Sequence, residues 1–285
     1  MGLAGCIGDD HLGDFFRRQI RNAGVEWTTT PQSGTGTGTV IVLTTPDAQR
    51  SFLSYPGTSD EVVICDVTAA AIRASRILVI EGYLWEFPNA GTSILQAVEI
   101  ARQAGTIVAL TMADASVVER HREAMLVALQ SADIIFTNAA EAEVLLGGSG
   151  AKISAQEAAL QLGCLCPMAV VTDGSKGSYI TALGQLHVIP PHWTASSPVD
   201  TCGAGDAYAA GVLYGYVSGF DVWQMGDFAA QTAARVISQQ GPELTPAHAD
   251  MLISSNPFRD ADTPILSSLA AAASLAYDPS GPGFL

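Results

Sequence analysis

Residues 199–206 combine the residue types that build a binding site for an anion such as phosphate. The small residues at 203–205 precede Asp206, and the apolar run 207–215 follows directly. A helix that begins in such a loop leaves backbone N–H groups free, and glycine lets the main chain approach an anion. Asp206 would be the negative group of this anion site, which suggests a proton acceptor. The alternative is a carboxylate that merely interacts with the helix dipole.

Three more groups of polar residues follow predicted strands. Asn138 and Glu141 come after one strand and lie one helical turn apart, so both side chains can face one cavity. The turn 172–177 follows the next strand, and Glu81 follows an earlier one. Ligands of parallel sheets bind outside the carboxyl ends of the strands, so we expect these groups to converge with loop 199–206.

Each of these groups also has a plain structural alternative. Asn138 and Glu141 could be a capping pair on a surface helix, and the turn 172–177 could be an ordinary hairpin connection. Glu81 could be a sheet-end carboxylate that is hydrogen-bonded to a loop. His121 lies between two arginines, which favours a solvated helix face or a subunit contact over a catalytic role.

The elements that must position these residues alternate between strands and helices from about residue 60 onward. Such alternation is typical of a mostly parallel sheet that helices cover on both faces. The predicted strands are 76–81, 106–111, 133–137 and 169–172, a hairpin joins 177–182 to 185–189, and the predicted helices are 66–73, 89–105 (capped by Asn89), 117–129, 138–147, 154–162, 206–218, 221–239 and 246–254.

The start of the chain carries a weaker pattern. Residues 1–7 are predicted as a strand and residues 11–23 as a helix, whose apolar face is formed by Phe15, Phe16 and Ile20.

The alternating glycines of residues 33–39 superficially resemble a dinucleotide-binding loop. Such a loop follows a strand and opens a helix, whereas this segment precedes a β-branched run. We therefore predict a hairpin of strands 40–43 and 50–54 instead.

The composition excludes several classes of function. The chain has 285 residues, 48% hydrophobic and 14% charged, so it can bury a large core in at most two domains. A net charge of −15 argues against a nucleic-acid partner. No apolar run reaches membrane-span length and no signal peptide is evident, so we predict a cytoplasmic protein or one of an organelle stroma. Five cysteines without metal-ligand spacing indicate free thiols.

Residues 200–211 resemble, position by position, the C-terminal motif of the PfkB (ribokinase-like) family of sugar and nucleoside kinases. Asn138, Glu141, the turn 172–177 and the late segment 233–241 occur in the family's order. The resemblance implies a three-layer α/β/α ribokinase-like fold with a mostly parallel central sheet and a partial β lid.

Residues 81–85 and 119–122 further resemble the adenosine-kinase-like members of the family. The predicted organisation is a single kinase domain over 1–256, in which 33–58 is a remnant of the lid, and an alanine-rich flexible tail over 257–285. Compared with the family pattern, the first strand, the sugar-binding helix with its glycine pair, and some lid strands are missing, so the sugar half is incomplete while the ATP half is intact.

The resemblance implies a role for each candidate residue in an ATP-dependent transfer to a hydroxymethyl group of a sugar or nucleoside. Asp206 would be the general base. The cofactors would be ATP and Mg²⁺, with K⁺ at a monovalent-cation site. The implied roles are an anion hole of Gly203, Ala204 and Gly205; nucleotide binding by Thr172, Gly174, Ser175, Gly177 and Gly241; Mg²⁺ binding through water by Asn138 and Glu141; K⁺ binding by Asp200; and substrate binding by Glu81.

The partner expected from this resemblance is a small molecule, either adenosine-like or similar to fructose or ribose. A homodimer is a further expectation, and no nucleic acid or membrane partner is predicted. The alternative is a truncated, non-catalytic homologue that binds nucleotide, has a regulatory role and no longer binds the acceptor.

Overall fold

The computed structural model describes residues 1–27, 29, 34–44, 50–88, 90–147, 152–193, 198–242, 244 and 246–255. The chain divides into two compact units, Met1–Val108 and Ala109–Leu285, and each is described by itself. Asn89 and residues 257–285 lie outside the described ranges. The single domain over 1–256 and the flexible tail therefore stay predictions.

The first unit is built from short strands, a hairpin and amphipathic helices. Strand β1 pairs in parallel with β2 over two residues only, so the predicted strand 1–7 is wrong beyond its first part. The elements are β1 (Gly2–Leu3), α1 (His11–Asn22), β2 (Glu26–Trp27), β3 (Thr39–Thr44), β4 (Arg50–Tyr55), α2 (Asp66–Ala74), β5 (Ile77–Ile80) and α3 (Ala90–Ala104), with 3₁₀ turns at Gly57–Glu61 and Gly82–Glu86.

Helix α1 begins at Asp10, which is its N-cap. The Asp10 carboxylate accepts hydrogen bonds from the N–H of Gly13 (2.8 Å), the N–H of Thr37 (2.8 Å) and the hydroxyl of Thr37 (2.7 Å). These bonds, first among them the one from Gly13, lower the pKa of Asp10 to about 2. The carboxylate thereby fastens the glycine-rich segment around Thr37 to the start of the helix.

The apolar face predicted for α1 is exposed in the structure. Phe15 is 53% and Phe16 39% exposed, although the Phe16 ring meets the Trp27 ring edge to face with centroids 5.6 Å apart. The buried residue of this helix is Gly13, where an added Cβ would lie 2.2 Å from the carbonyl oxygen of Gly8. Helical periodicity identified the apolar side correctly but not whether it is covered.

Strands β3 and β4 form the predicted antiparallel hairpin, with Ile41 opposite Leu53 and Val42 opposite Phe52. These four side chains are 46–58% exposed although all are apolar. Residue 33 and residues 45–49 are outside the described part of the chain. The role of this hairpin as a lid stays a prediction.

The second unit is built around a sheet in which parallel strands are followed by an antiparallel edge. The strand order is β10-β9-β8-β7-β6, with β6–β7 and β7–β8 parallel and β8–β9 and β9–β10 antiparallel. The elements are β6 (Ile107–Thr111, which starts in the first unit), α4 (Ala115–Leu129), β7 (Ile134–Asn138), α5 (Ala139–Gly147), α6 (Ala155–Leu162), β8 (Met168–Thr172), β9 (Ser178–Ala182), β10 (Gln185–Ile189), α7 (Ala204–Ser218), α8 (Val222–Ile237) and α9 (Pro246–Ser255).

The core of this unit includes the apolar residues of β7 and β8, which are at most 6% exposed, as expected for strands covered on both faces. At the edge of the sheet, Val188 of β10 is 56% exposed. Helices α7 and α8 pack with their backbones close together: an added Cβ at Gly211 would lie 2.6 Å from the Cα of Ala229. Gly215 similarly faces Met225 and Phe220. The close neighbours of both glycines thus belong to α8 and the turn before it.

Helix α4 has a kink at His121, whose φ and ψ are −118° and 18°. The Nε of Arg122 donates to the carbonyl oxygen of Leu145 (2.8 Å), in the last turn of α5. Within the run 119–122, Arg122 therefore joins helix α4 to helix α5. Among the described residues, no helix combines the length and apolar composition that a membrane span requires.

Candidate active site

The loop before α7 turns sharply at Gly203, which is the N-cap of the helix. Gly203 has a φ of +74°, and an added Cβ would lie 2.6 Å from the Cβ of Pro242. Both the left-handed backbone and the lack of space require glycine at this position. At Gly205, by contrast, an added Cβ meets nothing within 4 Å. The first N–H groups of a helix lack partners within it. Here the N–H of Ala204 makes a long hydrogen bond to the carbonyl oxygen of Thr201 (3.4 Å), and the exposed Gly205 presents its backbone to open space.

Asp206 lies in the first turn of α7 and is exposed. Its exposure leaves the carboxylate accessible to a ligand at the helix start. A carboxylate beside a set of backbone N–H donors can accept a proton from a ligand while the amides bind negative charge. The exposure of Asp206 is compatible with the two functions that the loop sequence suggested, and both functions stay predictions.

Asp200 ties this loop to the segment that follows α8. Its Oδ1 accepts from the N–H of Cys202 (2.9 Å) and its Oδ2 from the N–H of Gly241 (3.2 Å). The N–H of Val199 also donates to the carbonyl of Ile237 (2.7 Å). These contacts hold the loop to the segment after α8, while the role of Asp200 at a K⁺ site stays a prediction.

A cavity of about 360 Å³ lies beside the start of α7. The turn predicted to bind nucleotide borders it, and Gly177 within this turn has a φ of +97° with only 2.2 Å between an added Cβ and the carbonyl oxygen of Ile189. The cavity is thus shared by the anion loop, the turn and α8. Its lining includes Thr172, Gly174, Ser175, Gly177, Thr201, Ala204, Gly205, Ala230, Ala233, Ala234 and Ile237.

Sequence reasoning missed part of this cavity wall. Pro191, His192 and Trp193 line it, as do Ser178 and Tyr208. Trp193 is 65% exposed, and a tryptophan so exposed beside a cavity can contact a planar ligand. The position of Trp193 just after β10 could have indicated this. The antiparallel pairing brings the end of β10 next to the beginning of β9, where the turn 172–177 ends. Gly241 does not line the cavity but reaches the site through its bond to Asp200.

Asn138 and Glu141 form a reciprocal pair at the start of α5. The Nδ2 of Asn138 donates to Oε1 of Glu141 (2.6 Å) and its backbone N–H to Oε2 (2.9 Å), while the N–H of Glu141 donates to Oδ1 of Asn138 (3.0 Å). The hydroxyl of Thr137 adds a bond to Oε2 (3.2 Å). The two residues therefore do form a capping pair. Asn138 is exposed at the surface, whereas Glu141 is buried, with only 6% of its surface exposed.

Burial raises the pKa of Glu141, and the nearby charges of Asp114 and Asp206 raise it further, against the lowering effect of its hydrogen bonds. The three carboxylates are thus electrostatically linked. A divalent cation near them would stabilise the charged forms.

The described residues provide no group of three or more His, Cys, Asp or Glu side chains that could hold a metal by themselves. Mg²⁺ is typically held by one or two carboxylates together with phosphate oxygens and water, without an all-protein cage. Asn138 is exposed, and Oε1 of Glu141 accepts from the Nδ2 of Asn138, so the pair is compatible with a Mg²⁺ held through water and substrate phosphates. This role stays a prediction.

Glu81 belongs to the first unit, where it is exposed and precedes the 3₁₀ turn Gly82–Glu86. Its carbonyl oxygen accepts from the N–H of Leu84 (3.0 Å). The role of its side chain in substrate binding stays a prediction.

The sequence and the structure of the chain are similar to those of known kinases. Residues 1–248 match the model of the pfkB family of carbohydrate kinases. The structure is similar to that of adenosine kinase from Sinorhizobium meliloti (TM-score 0.78, 31% identity, 97% of this chain and 77% of that chain). It is also similar to that of a probable sugar kinase from Rhizobium etli (TM-score 0.79, 30% identity, 96% and 76%). The 5-dehydro-2-deoxygluconokinase of Shouchella clausii is 26% identical over 247 residues, covering 84% of this chain and 75% of that protein.

Proposed function

The chain belongs to the pfkB family of carbohydrate kinases, and on this premise we propose that it transfers the γ-phosphoryl group of ATP to a hydroxymethyl group of a sugar or nucleoside, with Asp206 as general base. ATP-dependent phosphotransfer and the ribokinase-like α/β fold follow from the family and its structural neighbours. The observation that carries the proposal is the start of α7, where an exposed carboxylate, a glycine loop and the cavity adjoin.

Asp206 supports this reaction through its exposure and its place beside the loop amides. The acceptor hydroxyl loses its proton to Asp206 as its oxygen bonds to the γ-phosphorus, and the bond between the γ-phosphorus and the bridging oxygen breaks to release ADP. The N–H groups of Gly203, Ala204 and Gly205 stabilise the charge on the transferred group. A positioned base contributes about 10²–10⁴-fold to the rate.

The cavity supports nucleotide binding next to this loop. Its lining from α8 is small and apolar, at Ala230, Ala233 and Ala234, which suits a base, while the turn 172–177 offers backbone and hydroxyl groups to phosphates and ribose. Trp193 adds an aromatic surface at the wall. Gly241 contributes by holding Asp200 and hence the loop.

Mg²⁺, when bound, neutralises charge on the phosphate oxygens. Asn138 and Glu141 would orient its water shell from the start of α5. The carboxylate of Asp200, whose oxygens accept from the N–H groups of Cys202 and Gly241, would contribute to a monovalent-cation site for K⁺.

The acceptor is a small molecule with a hydroxymethyl group, either a nucleoside such as adenosine or a sugar of the fructose or ribose type. The similarity to an adenosine kinase and to sugar kinases supports both classes. Glu81 would contact the acceptor.

The proposal is tested by incubating the purified chain with ATP, MgCl₂ and each of adenosine, ribose, fructose and 5-dehydro-2-deoxygluconate. ADP release is followed by a coupled assay, and the phosphorylated acceptor is identified by mass spectrometry. We expect transfer to at least one acceptor. ATP binding in calorimetry without transfer to any of them would instead establish a non-catalytic nucleotide-binding protein.

A further inference from the structure

The buried hydroxyl of Tyr208 connects three elements around the cavity. Tyr208 lies two residues after Asp206 in α7. Its Oη lies 2.5 Å from the Oγ of Ser178, the first residue of β9, and 3.4 Å from the carbonyl oxygen of Gly226 in α8. Donation from Tyr208 to Gly226 and from Ser178 to Tyr208 satisfies both hydroxyl groups.

These hydroxyl groups are not needed to fill space. Tyr208 is 6% and Ser178 1% exposed, and a phenylalanine would occupy nearly the same volume as the tyrosine. Burying a hydroxyl is unfavourable unless it is hydrogen-bonded. Burial also raises the pKa of Tyr208, so the side chain stays a neutral phenol that can both donate and accept. The hydrogen bond between Tyr208 and Ser178 therefore fixes the position of α7 relative to β9 and does not merely fill space.

The two partners adjoin the two halves of the proposed site. Ser178 directly follows Gly177, where the turn 172–177 ends, and Tyr208 follows Asp206 by two residues. One hydrogen bond thus joins the turn proposed to hold the nucleotide to the helix start that presents the base. Both groups line the same cavity.

We propose that Tyr208 is a positioning residue for phosphoryl transfer: its hydroxyl, through Ser178, fixes Asp206 and the amides of residues 203–205 relative to the turn 172–177. The inference rests on the function proposed above for the same site. Alignment of the reacting groups dominates such transfers, and a displacement of about 1 Å can cost 10²-fold in rate.

The test compares Tyr208→Phe with Tyr216→Phe, a matched control. Tyr216 is buried in the last turn of the same helix and does not line the cavity. We expect Tyr208→Phe to lower kcat by roughly 10-fold while the KM and Kd for ATP stay within about twofold, because the ring that faces the ligand remains. Ser178→Ala should lower kcat similarly, and the double variant should fall no further, because both changes remove the same bond.

A second measurement does not depend on activity. Amide hydrogen exchange in the segment 199–208 of the nucleotide-free protein should be about 3–10-fold faster in Tyr208→Phe, the factor expected for one lost hydrogen bond, and unchanged in Tyr216→Phe.

The outcomes separate this inference from the proposed function. If the wild type transfers phosphate and Tyr208→Phe keeps its kcat, or changes only the KM for ATP, the positioning role is refuted and the function stands. If the wild type transfers no phosphate, both the proposed function and the positioning role are refuted. Unchanged hydrogen exchange of residues 199–208 in Tyr208→Phe would show, independently of activity, that the hydroxyl does not hold this segment in place.

Discussion

The replacement Asp206→Asn separates chemistry from binding at the start of α7. Asparagine has nearly the same volume as aspartate, and the side chain is exposed, so no packing is lost. The change removes the negative charge and the capacity to accept a proton, while the amides of residues 203–205 and the cavity remain.

The kinetic effect should far exceed the structural one. Loss of a general base lowers kcat by about 10²–10⁴-fold, which corresponds to about 2.7–5.5 kcal/mol at the barrier. Loss of a carboxylate at an exposed helix N-terminus costs at most about 1 kcal/mol of stability. ATP affinity should be unchanged or slightly higher, because one negative charge near the phosphates is gone.

The assay measures kcat at saturating ATP and acceptor, the Kd for ATP by calorimetry, and the free energy of unfolding in urea. Asp221→Asn is the matched control, because Asp221 is the exposed N-cap of α8, and asparagine is also a good N-cap. The control should keep kcat within about twofold. If Asp206→Asn retained more than about a tenth of the wild-type kcat, the assignment of the base would be refuted.

Three further changes test other parts of the second unit. Gly203→Ala should lower the free energy of unfolding by about 1–3 kcal/mol because of the +74° φ and the contact with Pro242, whereas Gly205→Ala, where a Cβ has space, should not; equal urea midpoints would contradict this packing. ATP should change the tryptophan fluorescence of the protein, and Trp193→Phe should remove that change; a response that persists would place the nucleotide away from this wall. Burial raises the pKa of Glu141 above 4.5, so the stability that this group contributes is present below pH 4.5 and is lost as pH rises through the raised pKa. Glu141→Gln should therefore gain in Tm relative to the wild type as the pH rises from 4.5 to neutral. If the difference in Tm stayed constant, burial would not raise the pKa of Glu141.

Local sequence patterns predicted the glycine turn before α7 and most of the helices and strands. This turn could be predicted because it depends on neighbouring residues: glycines for the turn and a carboxylate within the first helical turn. Its role as an anion site stays a prediction. The predicted helix 154–162 and the observed α6 (Ala155–Leu162) agree because Ser154 and Glu157 form a capping box, a pattern of adjacent residues.

The sequence could not predict contacts between distant residues. Ser178 and Tyr208 are 30 positions apart and Asp200 and Gly241 are 41 apart, and nothing in either local segment indicates its partner. The burial of Glu141 was missed for a similar reason, since a capping motif reads the same at the surface and in the interior.

The close crossing of α7 and α8 has a consequence for motion. With the Cα of Ala229 so near Gly211 that no Cβ fits between them, the helices cannot slide without a backbone collision. The loop 199–206 at the start of α7 and the alanine-lined wall on α8 should therefore move as a single rigid body. We expect any adjustment to an entering nucleotide to occur in residues 191–193, while Asp206, the proposed proton acceptor, keeps its position relative to the turn 172–177.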